Sequence, residues 1–387
     1  MRMAYVTIAD SSDLHDWSGL AFYVRKAFTD SGFQIQPIGN LREGYYLLTK
    51  VKRTLYKRLF SKVYLSDREP FIQRSYSNQV AKSLAHIDCD VVFSPGSRPI
   101  ANLNTKKPIV FWTDATFAGL VNFYPGFDNL CKESIRNGNR MEQLALSKCR
   151  LAMYTSEWAA RTAIENYKVD PAKVRVVPFG ANIDCNRDAE EIQNIFLKKK
   201  FETCKLLFIG VEWYRKGGDI AIKVAELLNQ QGIPTELNVV GCTPPGAAPG
   251  FVRCHGFVSK KSEEGCKQLD TLFRESHFLI LPTRAECVPV VFAEAASYGL
   301  PSLATNVGGI PTAIQNGKNG QIYSLSDTPA KYSEYIFKLF SAKQKYEQLS
   351  LSCFREYLDR LNWESARKLA TNLIHAHCGE DFSRHQL

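Results

Sequence analysis

The sequence predicts an α/β protein with two parallel, doubly wound sheets, and three observations point to that fold class. Short apolar runs alternate with stretches of helical period along most of the 387 residues, which is the pattern of strand–helix–strand units in a parallel sheet. The apolar runs are continuous, as in strands that are buried on both faces. The scheme occurs twice, so two Rossmann-like halves are expected.

Each half is predicted as a series of strands with helices between them. The predicted strands are residues 3–9, 34–39, 90–95, 108–114, 150–156 and 173–179 in the first half, and 205–210, 236–241, 277–282, 301–305 and 321–325 in the second. The predicted helices are residues 18–30, 70–86, 132–148, 157–167, 217–230, 262–275 and 289–298. Because ligands of open α/β sheets bind beyond the carboxyl ends of the strands, the site is expected in loops that follow strands, in a cleft between the halves.

The polar, charge-rich segment 180–204 is expected to join the two halves. We therefore predict an N-terminal domain over residues 1–185, which binds an acceptor, and a C-terminal domain over residues 186–355, which binds a donor. Residues 356–387 are predicted to form a helical tail that packs back across the domains.

Composition argues against a zinc-binding, disulfide-rich or secreted protein, and the charge permits an anionic partner. The 11 cysteines include no pair with Cys-x-x-Cys spacing, which argues against a zinc site or a disulfide framework. The N-terminus has the character of a first strand rather than of a signal peptide, so a cytoplasmic location is expected. The net charge of +10 permits an anionic partner without selecting one.

A cationic turn follows the strand predicted at 205–210. Arg215 and Lys216 come directly before Gly217 and Gly218, where the next helix is predicted to begin. Free backbone N–H groups and the helix dipole favour an anion at such a position, and two cations suit a diphosphate. A solvated basic turn is the equally weighted alternative.

Two glutamates follow the strand predicted at 277–282. Glu286 lies in the loop and Glu294 in the next helix, with seven residues between them, and Pro289 fits the first helical position. Carboxylates on either side of a helix N-terminus suit a ligand with hydroxyls at both ends and phosphate between, as in a nucleotide sugar. The alternative is an ordinary loop charge and helix residue, although Glu294 lies on an otherwise apolar helix face.

These segments together resemble glycosyltransferase family 4, whose members are retaining enzymes of the GT-B fold. Glu286 and Glu294 match the Glu-x(7)-Glu signature of that family, and "VVPFGANID" (176–184), "FIGVEWYRKGGD" (208–219) and "NGKNGQIY" (316–323) fall in its order. The resemblance implies a metal-independent transfer from a nucleotide-diphosphate sugar, with no further cofactor. Other GT-B chemistry, such as that of a nucleotide-sugar epimerase, stays open.

The resemblance also implies a catalytic set. Arg215 and Lys216 would neutralise the donor diphosphate, and Glu286 would hold hydroxyls of the transferred sugar. Many members carry an arginine where Val211 stands here, so Arg215 would substitute for it. Many members carry a histidine after the fourth N-terminal strand. The nearby polar residue in this chain is Asp114, which is the fourth candidate.

The implied donor-binding residues come from several segments of the chain. They are Glu294 at the ribose, the main-chain N–H groups of Val290 and Val291 and the flexible Gly19 at the phosphates, and Gly256 and Phe257 near the base. Where the family often has Gly-Phe-Gly, this chain has Cys287, Val288 and Pro289, so one N–H that could face phosphate is missing.

No metal site is predicted. Asp88 and Asp90 form an Asp-x-Asp, the pattern of metal-dependent transferases of another fold. The pair precedes its strand, so it is expected at the edge of the sheet opposite the site.

A basic amphipathic stretch lies at residues 45–64, with six Lys and Arg among Leu, Tyr and Phe. It could contact an anionic membrane surface, on the inner face of the membrane. The slightly favoured alternative is a surface helix whose apolar face packs on the domain core.

The Lys and Arg residues outside this stretch are dispersed along the chain, so nucleic acid is not an expected partner. The non-enzymatic alternative is a basic protein that binds nucleic acid or a membrane surface. The acceptor, whether glycan, lipid or small molecule, is left open.

Overall fold

The computed structural model describes residues 1–12, 16–183, 185, 187–288 and 290–379. The chain divides into two compact units, one formed by Met1–Pro178 with the residues from Trp363 onward, the other by Phe179–Asn362. Within the described residues, each unit contains one six-stranded sheet whose strands pair in parallel. The predicted α/β class with two parallel sheets is confirmed.

The first unit has the strand order β2-β1-β3-β4-β5-β6. Its strands are β1 (Arg2–Val6), β2 (Gln34–Ile38), β3 (Val91–Ser94), β4 (Ile109–Thr113), β5 (Leu151–Tyr154) and β6 (Val174–Val176). Its helices up to β6 are α1 (Leu20–Asp30), α2 (Tyr46–Phe60), α3 (Pro70–Leu84), α4 (Phe117–Leu120), α5 (Lys132–Lys148) and α6 (Glu157–Tyr167). Strands β3, β4 and β5 are buried along their whole length, which explains their continuous apolar runs.

The second unit has the strand order β12-β11-β10-β7-β8-β9. Its strands are β7 (Cys204–Ile209), β8 (Thr235–Val240), β9 (Val252–Cys254), β10 (Phe278–Leu281), β11 (Ser302–Thr305) and β12 (Gly320–Tyr323). Its helices are α7 (Ala189–Lys198), α8 (Trp213–Lys216), α9 (Gly218–Gln230), α10 (Glu263–Glu275), α11 (Val291–Ala296), α12 (Ile310–Ala313), α13 (Pro329–Phe340) and α14 (Lys343–Arg360).

The last described helix, α15 (Trp363–Cys378), packs on the first unit. The ring of Trp363 contacts those of Tyr23 and Trp112, with centroids 6.0 and 6.1 Å apart. Nε of Arg150 donates to the carbonyl of His377 at 3.0 Å. The predicted tail 356–387 is therefore divided, because α14 belongs to the second unit and α15 to the first.

The predicted boundary at residue 185 also differs from the observed division. The main-chain N–H of Ala181 donates to the carbonyl of Leu361 at 3.1 Å, so the chain has already joined the second unit there. The predicted join at 180–204 contains helix α7, which Asp188 caps through a hydrogen bond from the N–H of Glu191 at 2.8 Å. No described helix is both long and apolar enough to cross a membrane.

Candidate active site

The candidate site of the second unit lies where its strand order reverses. Strand β7 pairs with β8 on one side and with β10 on the other. The loops that leave the carboxyl ends of β7 and β10 therefore turn apart, which opens a crevice at the edge of the sheet. The first loop leads to Arg215 and Lys216 at the end of α8, and the second contains Glu286. The topology thus brings together three of the predicted catalytic residues.

Main-chain contacts hold these two loops against each other. Gly217 has a φ of 80°, and a Cβ there would lie 2.0 Å from the carbonyl oxygen of Pro282, so only glycine permits this approach. The carbonyl oxygen of Arg215 accepts hydrogen bonds from the N–H of Arg284 at 2.7 Å and from Oγ1 of Thr283 at 2.9 Å. The loop after β10 consequently fixes the backbone that carries the two cations.

The side chains of these loops form a buried charge cluster. Nζ of Lys216 pairs with Oε2 of Glu286, and Nη1 of Arg215 lies 3.2 Å from the same oxygen. The three side chains are only 10, 11 and 8% exposed for Lys216, Arg215 and Glu286, respectively. Nε of Arg215 pairs with Glu212, whose side chain is about half exposed. The buried part of the cluster holds two cations and one carboxylate, and a second carboxylate, that of Glu212, lies at its exposed edge.

Arg284, which is not among the predicted site residues, anchors this arrangement. Its guanidinium binds the Asp219 carboxylate with both arms, at 2.9 and 2.8 Å, and lies 3.9 Å from the centre of the Tyr214 ring. Burial acts to raise the pKa of Asp219, but the hydrogen bonds and charge of Arg284 hold that pKa below its ordinary value. Arg284 thereby links the loop after β10 to α8 and to the first turn of α9.

Glu294 is a second buried carboxylate of this unit. Its side chain is 3% exposed, lies on α11, and pairs through Oε1 with Nζ of Lys260. The Lys260 side chain is 43% exposed, so the ion pair is open to solvent on one side only. Lys260 is absent from the predicted set because 34 residues separate it from Glu294 and no local pattern marks the pair.

The segment between β9 and α10 also contains the two residues predicted to lie near a base. Phe257 is 72% exposed, so its ring is available for stacking. Gly256 has a φ of 66°, and no atom lies within 4 Å of the position a Cβ would take. Gly256, Phe257 and Lys260 therefore lie on one exposed segment.

Helix α11 is shorter than the predicted helix 289–298. It spans Val291–Ala296, with Val290 at its N-cap position. Pro289, predicted at the first helical position, lies outside the described residues. The first N–H groups of a helix have no hydrogen-bond partner within it. The predicted role of the Val290 and Val291 N–H groups, which is to face the phosphates of the donor, stays a prediction.

Asp114 and Gly19 belong to the first unit. Asp114 directly follows β4, and its Oδ2 accepts a hydrogen bond from Nε1 of Trp17 at 3.2 Å. Gly19 has a φ of 77° and is the N-cap residue of α1. The loop after β1 and the loop after β4 thus contact each other through Trp17, close in sequence to Gly19.

Asp88 and Asp90 lie at the amino end of β3, as their order in the sequence predicts. Nη2 of Arg2 binds Oδ1 of Asp90 at 2.8 Å, and Nη1 pairs with Asp88. Across the described ranges, no three His, Cys, Asp or Glu side chains cluster as metal ligands would. The two aspartates have a structural partner in Arg2.

A family model matches most of the second unit. Residues 203–342 match the family model of group 1 glycosyl transferases. The chain is 27% identical over 217 residues to D-inositol 3-phosphate glycosyltransferase of Corynebacterium jeikeium, covering 51% of each protein. It is 28% identical over 209 residues to the enzyme of that name from Streptomyces scabiei, covering 50% of this chain and 46% of the relative. The chain spans about half the length of these curated relatives.

Solved structures resemble the chain over almost its whole length. Sucrose-phosphate synthase of Thermosynechococcus elongatus has a TM-score of 0.69 at 13% identity, with 97% of this chain and 98% of that one covered. The Anabaena protein Alr3699/HepE, in complex with UDP-glucose, has a TM-score of 0.63 at 14% identity, with 97 and 100% covered. The fold is the two-domain α/β fold of GT-B glycosyltransferases.

Proposed function

We propose that the protein is a retaining, metal-independent glycosyltransferase of family 4, which transfers a hexose or related sugar from a nucleotide-diphosphate sugar to an acceptor hydroxyl. One observation carries the proposal. Arg215, Lys216 and Glu286 converge in a buried cluster at the reversal point of the second sheet. Two fixed cations beside one carboxylate suit the diphosphate and the sugar of a single donor.

In the proposed reaction the two cations act on the leaving group. Negative charge grows on the diphosphate as its bond to the sugar breaks, and preorganised charges that face this position stabilise the transition state. Arg215 and Lys216 are already held in place by the loop after β10, so little reorganisation is needed. Glu286, which lies against both cations, would accept hydrogen bonds from the hydroxyls of the sugar.

The proposed donor site continues to Glu294, whose carboxylate would accept the ribose hydroxyls. Lys260 covers that carboxylate in this structure, so donor binding would require Lys260 to give up the contact or to turn towards the phosphates. The exposed ring of Phe257, beside Gly256, would lie near the base. The N–H groups of Val290 and Val291 are the proposed phosphate donors.

Acceptor binding is assigned to the first unit, in which Trp17 orients the Asp114 carboxylate. The Anabaena structure contains UDP-glucose, and the curated relatives are named for D-inositol 3-phosphate. UDP-glucose is therefore the first donor to test, and a phosphorylated polyol is the first acceptor. The proposed location is the cytoplasm, in keeping with exposed thiols at Cys254 and Cys266.

A thermal-shift screen with UDP, GDP and ADP sugars tests the proposal first. A donor present at about 100 times its dissociation constant adds about 2.7 kcal/mol to the free energy of unfolding. Release of nucleoside diphosphate that depends on an added acceptor would support transfer, whereas a donor that changes its own stereochemistry without acceptor would indicate an epimerase. Lys223→Met, at an exposed position on α9, is the control variant and should behave as wild type.

A further inference from the structure

Helix α2 exposes its apolar side to solvent. Leu48, Val51, Leu55 and Leu59 follow one another at intervals of three and four residues, so they form one stripe along the helix. Their exposed fractions are 51, 56, 49 and 68%, respectively. Leu47, beside the stripe, is 76% exposed. A contiguous exposed apolar stripe of this kind marks a surface that another partner covers.

The side of α2 that faces the protein is polar. Nζ of Lys52 binds Glu69 at 2.8 Å and Glu133 at 2.9 Å, and the Tyr56 hydroxyl donates to Glu133 at 3.0 Å. Thr49 is the buried residue of the helix. An amphipathic surface helix usually turns its apolar side to the core, and the favoured expectation for residues 45–64 was that arrangement. The structure overturns it, because ion pairs and hydrogen bonds hold the polar side inward.

The charge around the stripe is positive. Residues 45–64 contain six Lys and Arg and no Asp or Glu. Lys50, Lys57 and Arg58 are exposed. Arg53, Lys57 and Lys62 line a cavity of about 690 Å³ beside the C-terminal end of α2. The partner that covers the stripe should therefore carry negative charge next to an apolar layer.

We propose that α2 lies in the plane of an anionic membrane surface. The stripe Leu48, Val51, Leu55 and Leu59 would enter the boundary of the acyl chains, and the flanking cations would contact the lipid headgroups. A second copy of the chain would bring one cationic helix against another, so charge disfavours it. Nucleic acid would match the charge but would leave the aliphatic stripe uncovered.

Vesicle flotation tests the proposal with the full chain. Wild type should float with vesicles of equal parts phosphatidylglycerol and phosphatidylcholine, and remain largely unbound with phosphatidylcholine alone. Leu55→Gln with Leu59→Gln should weaken the partition onto anionic vesicles by about tenfold or more. Lys57→Gln with Arg58→Gln should also weaken the partition onto anionic vesicles at low salt. This variant should leave the weak binding to neutral vesicles unchanged.

Matched substitutions elsewhere on the surface serve as controls. Leu197, on α7, is 69% exposed against 68% for Leu59, so Leu59→Gln alone should weaken partition and Leu197→Gln should not. Thermal unfolding should be unchanged in both, because neither side chain is buried. The readout needs no transferase activity and so is independent of the proposed function.

Three results would overturn the proposal. One is wild type that fails to float with anionic vesicles, and another is equal partition of Leu59→Gln and Leu197→Gln. The third is a dimer in light scattering that Leu55→Gln with Leu59→Gln dissociates, without vesicle binding, which would assign the stripe to a second copy of the chain.

Discussion

Replacing Lys216 by methionine removes a buried charge and keeps most of the side-chain volume. The retained methylenes matter, because Cγ of Lys216 lies close to Gly210, 2.8 Å from where a Cβ would stand. If the Lys216 ammonium stabilises the leaving diphosphate, its loss should raise the barrier by about 3 kcal/mol, which is roughly 100-fold in kcat. The change is expected in kcat because the charge acts most strongly on the transition state.

The effect on stability should be smaller than that of breaking an isolated buried pair. Removing one partner of a buried ion pair typically costs about 3–5 kcal/mol. Here Glu286 keeps Arg215 at 3.2 Å, so we expect about 1–3 kcal/mol of lost unfolding free energy for Lys216→Met. Adding Glu286→Gln should recover part of that stability and none of the activity.

The assay compares initial rates of sugar transfer at saturating donor with denaturant unfolding of the same preparations. Lys223→Met, on the exposed side of α9, removes a lysine charge away from the cluster and should leave both quantities unchanged. A folded Lys216→Met variant whose kcat stays within about twofold of wild type would refute a catalytic role for this cation.

Three other predictions concern the donor, buried charge and metal. Glu294→Gln should weaken binding of the bare nucleoside diphosphate, whereas Glu286→Gln should leave it unchanged or tighten it, because Arg215 and Lys216 are released from their carboxylate partner. Burial raises the pKa of Glu142 to about 7, so the folded state binds the extra proton and stability should fall by a few kcal/mol as pH rises from about 4.5 to about 7. EDTA should leave the transfer rate nearly unchanged, and Asp88→Asn should be mild because Asp88 pairs with Arg2.

Each of these has a direct check. Calorimetric titration measures binding of the nucleoside diphosphate to both glutamate variants. If Glu286→Gln weakened binding more than Glu294→Gln did, the roles assigned to the two glutamates would be wrong. Denaturation at about pH 5 and about pH 8 should show a smaller difference for Glu142→Gln than for wild type, and an equal difference would exclude Glu142 as its source. A large loss of transfer rate in EDTA that Mg²⁺ or Mn²⁺ restores would contradict metal-independent transfer.

Much of the fold could be predicted from the sequence, because buried parallel strands leave continuous apolar runs. Helices α5 and α6 agree with the predicted 132–148 and 157–167 to the residue. Strand β9 was missed because only Val252 of its three residues is buried. Helix α7 was missed because the segment is charge-rich, although Asp188 and Glu191 stand at the spacing of a capping box.

The candidate site was predictable only as a set of residue types. That Arg215, Lys216 and Glu286 lie after the carboxyl ends of their strands follows from the strand pattern. Their pairing also requires β7 to lie beside β10, and the order of the strands in the sequence does not show that adjacency. The contact of Lys260 with Glu294 likewise depends on the path of the segment after β9. The orientation of α2 was mispredicted, since charged contacts on its inner side outweighed the usual burial of an apolar face.

The most direct test of the proposed nucleotide-sugar site is donor binding by wild type and by a variant that lacks both cations of the cluster. The variant is Arg215→Gln with Lys216→Met, and the ligands are UDP, GDP and ADP sugars, starting with UDP-glucose. At least one donor should stabilise wild type, by about 2.7 kcal/mol at 100 times its dissociation constant, and the variant should lose most of this stabilisation while remaining folded. Stabilisation of equal size in both proteins, or none in wild type with any donor, would contradict a nucleotide-sugar site built on Arg215, Lys216 and Glu286.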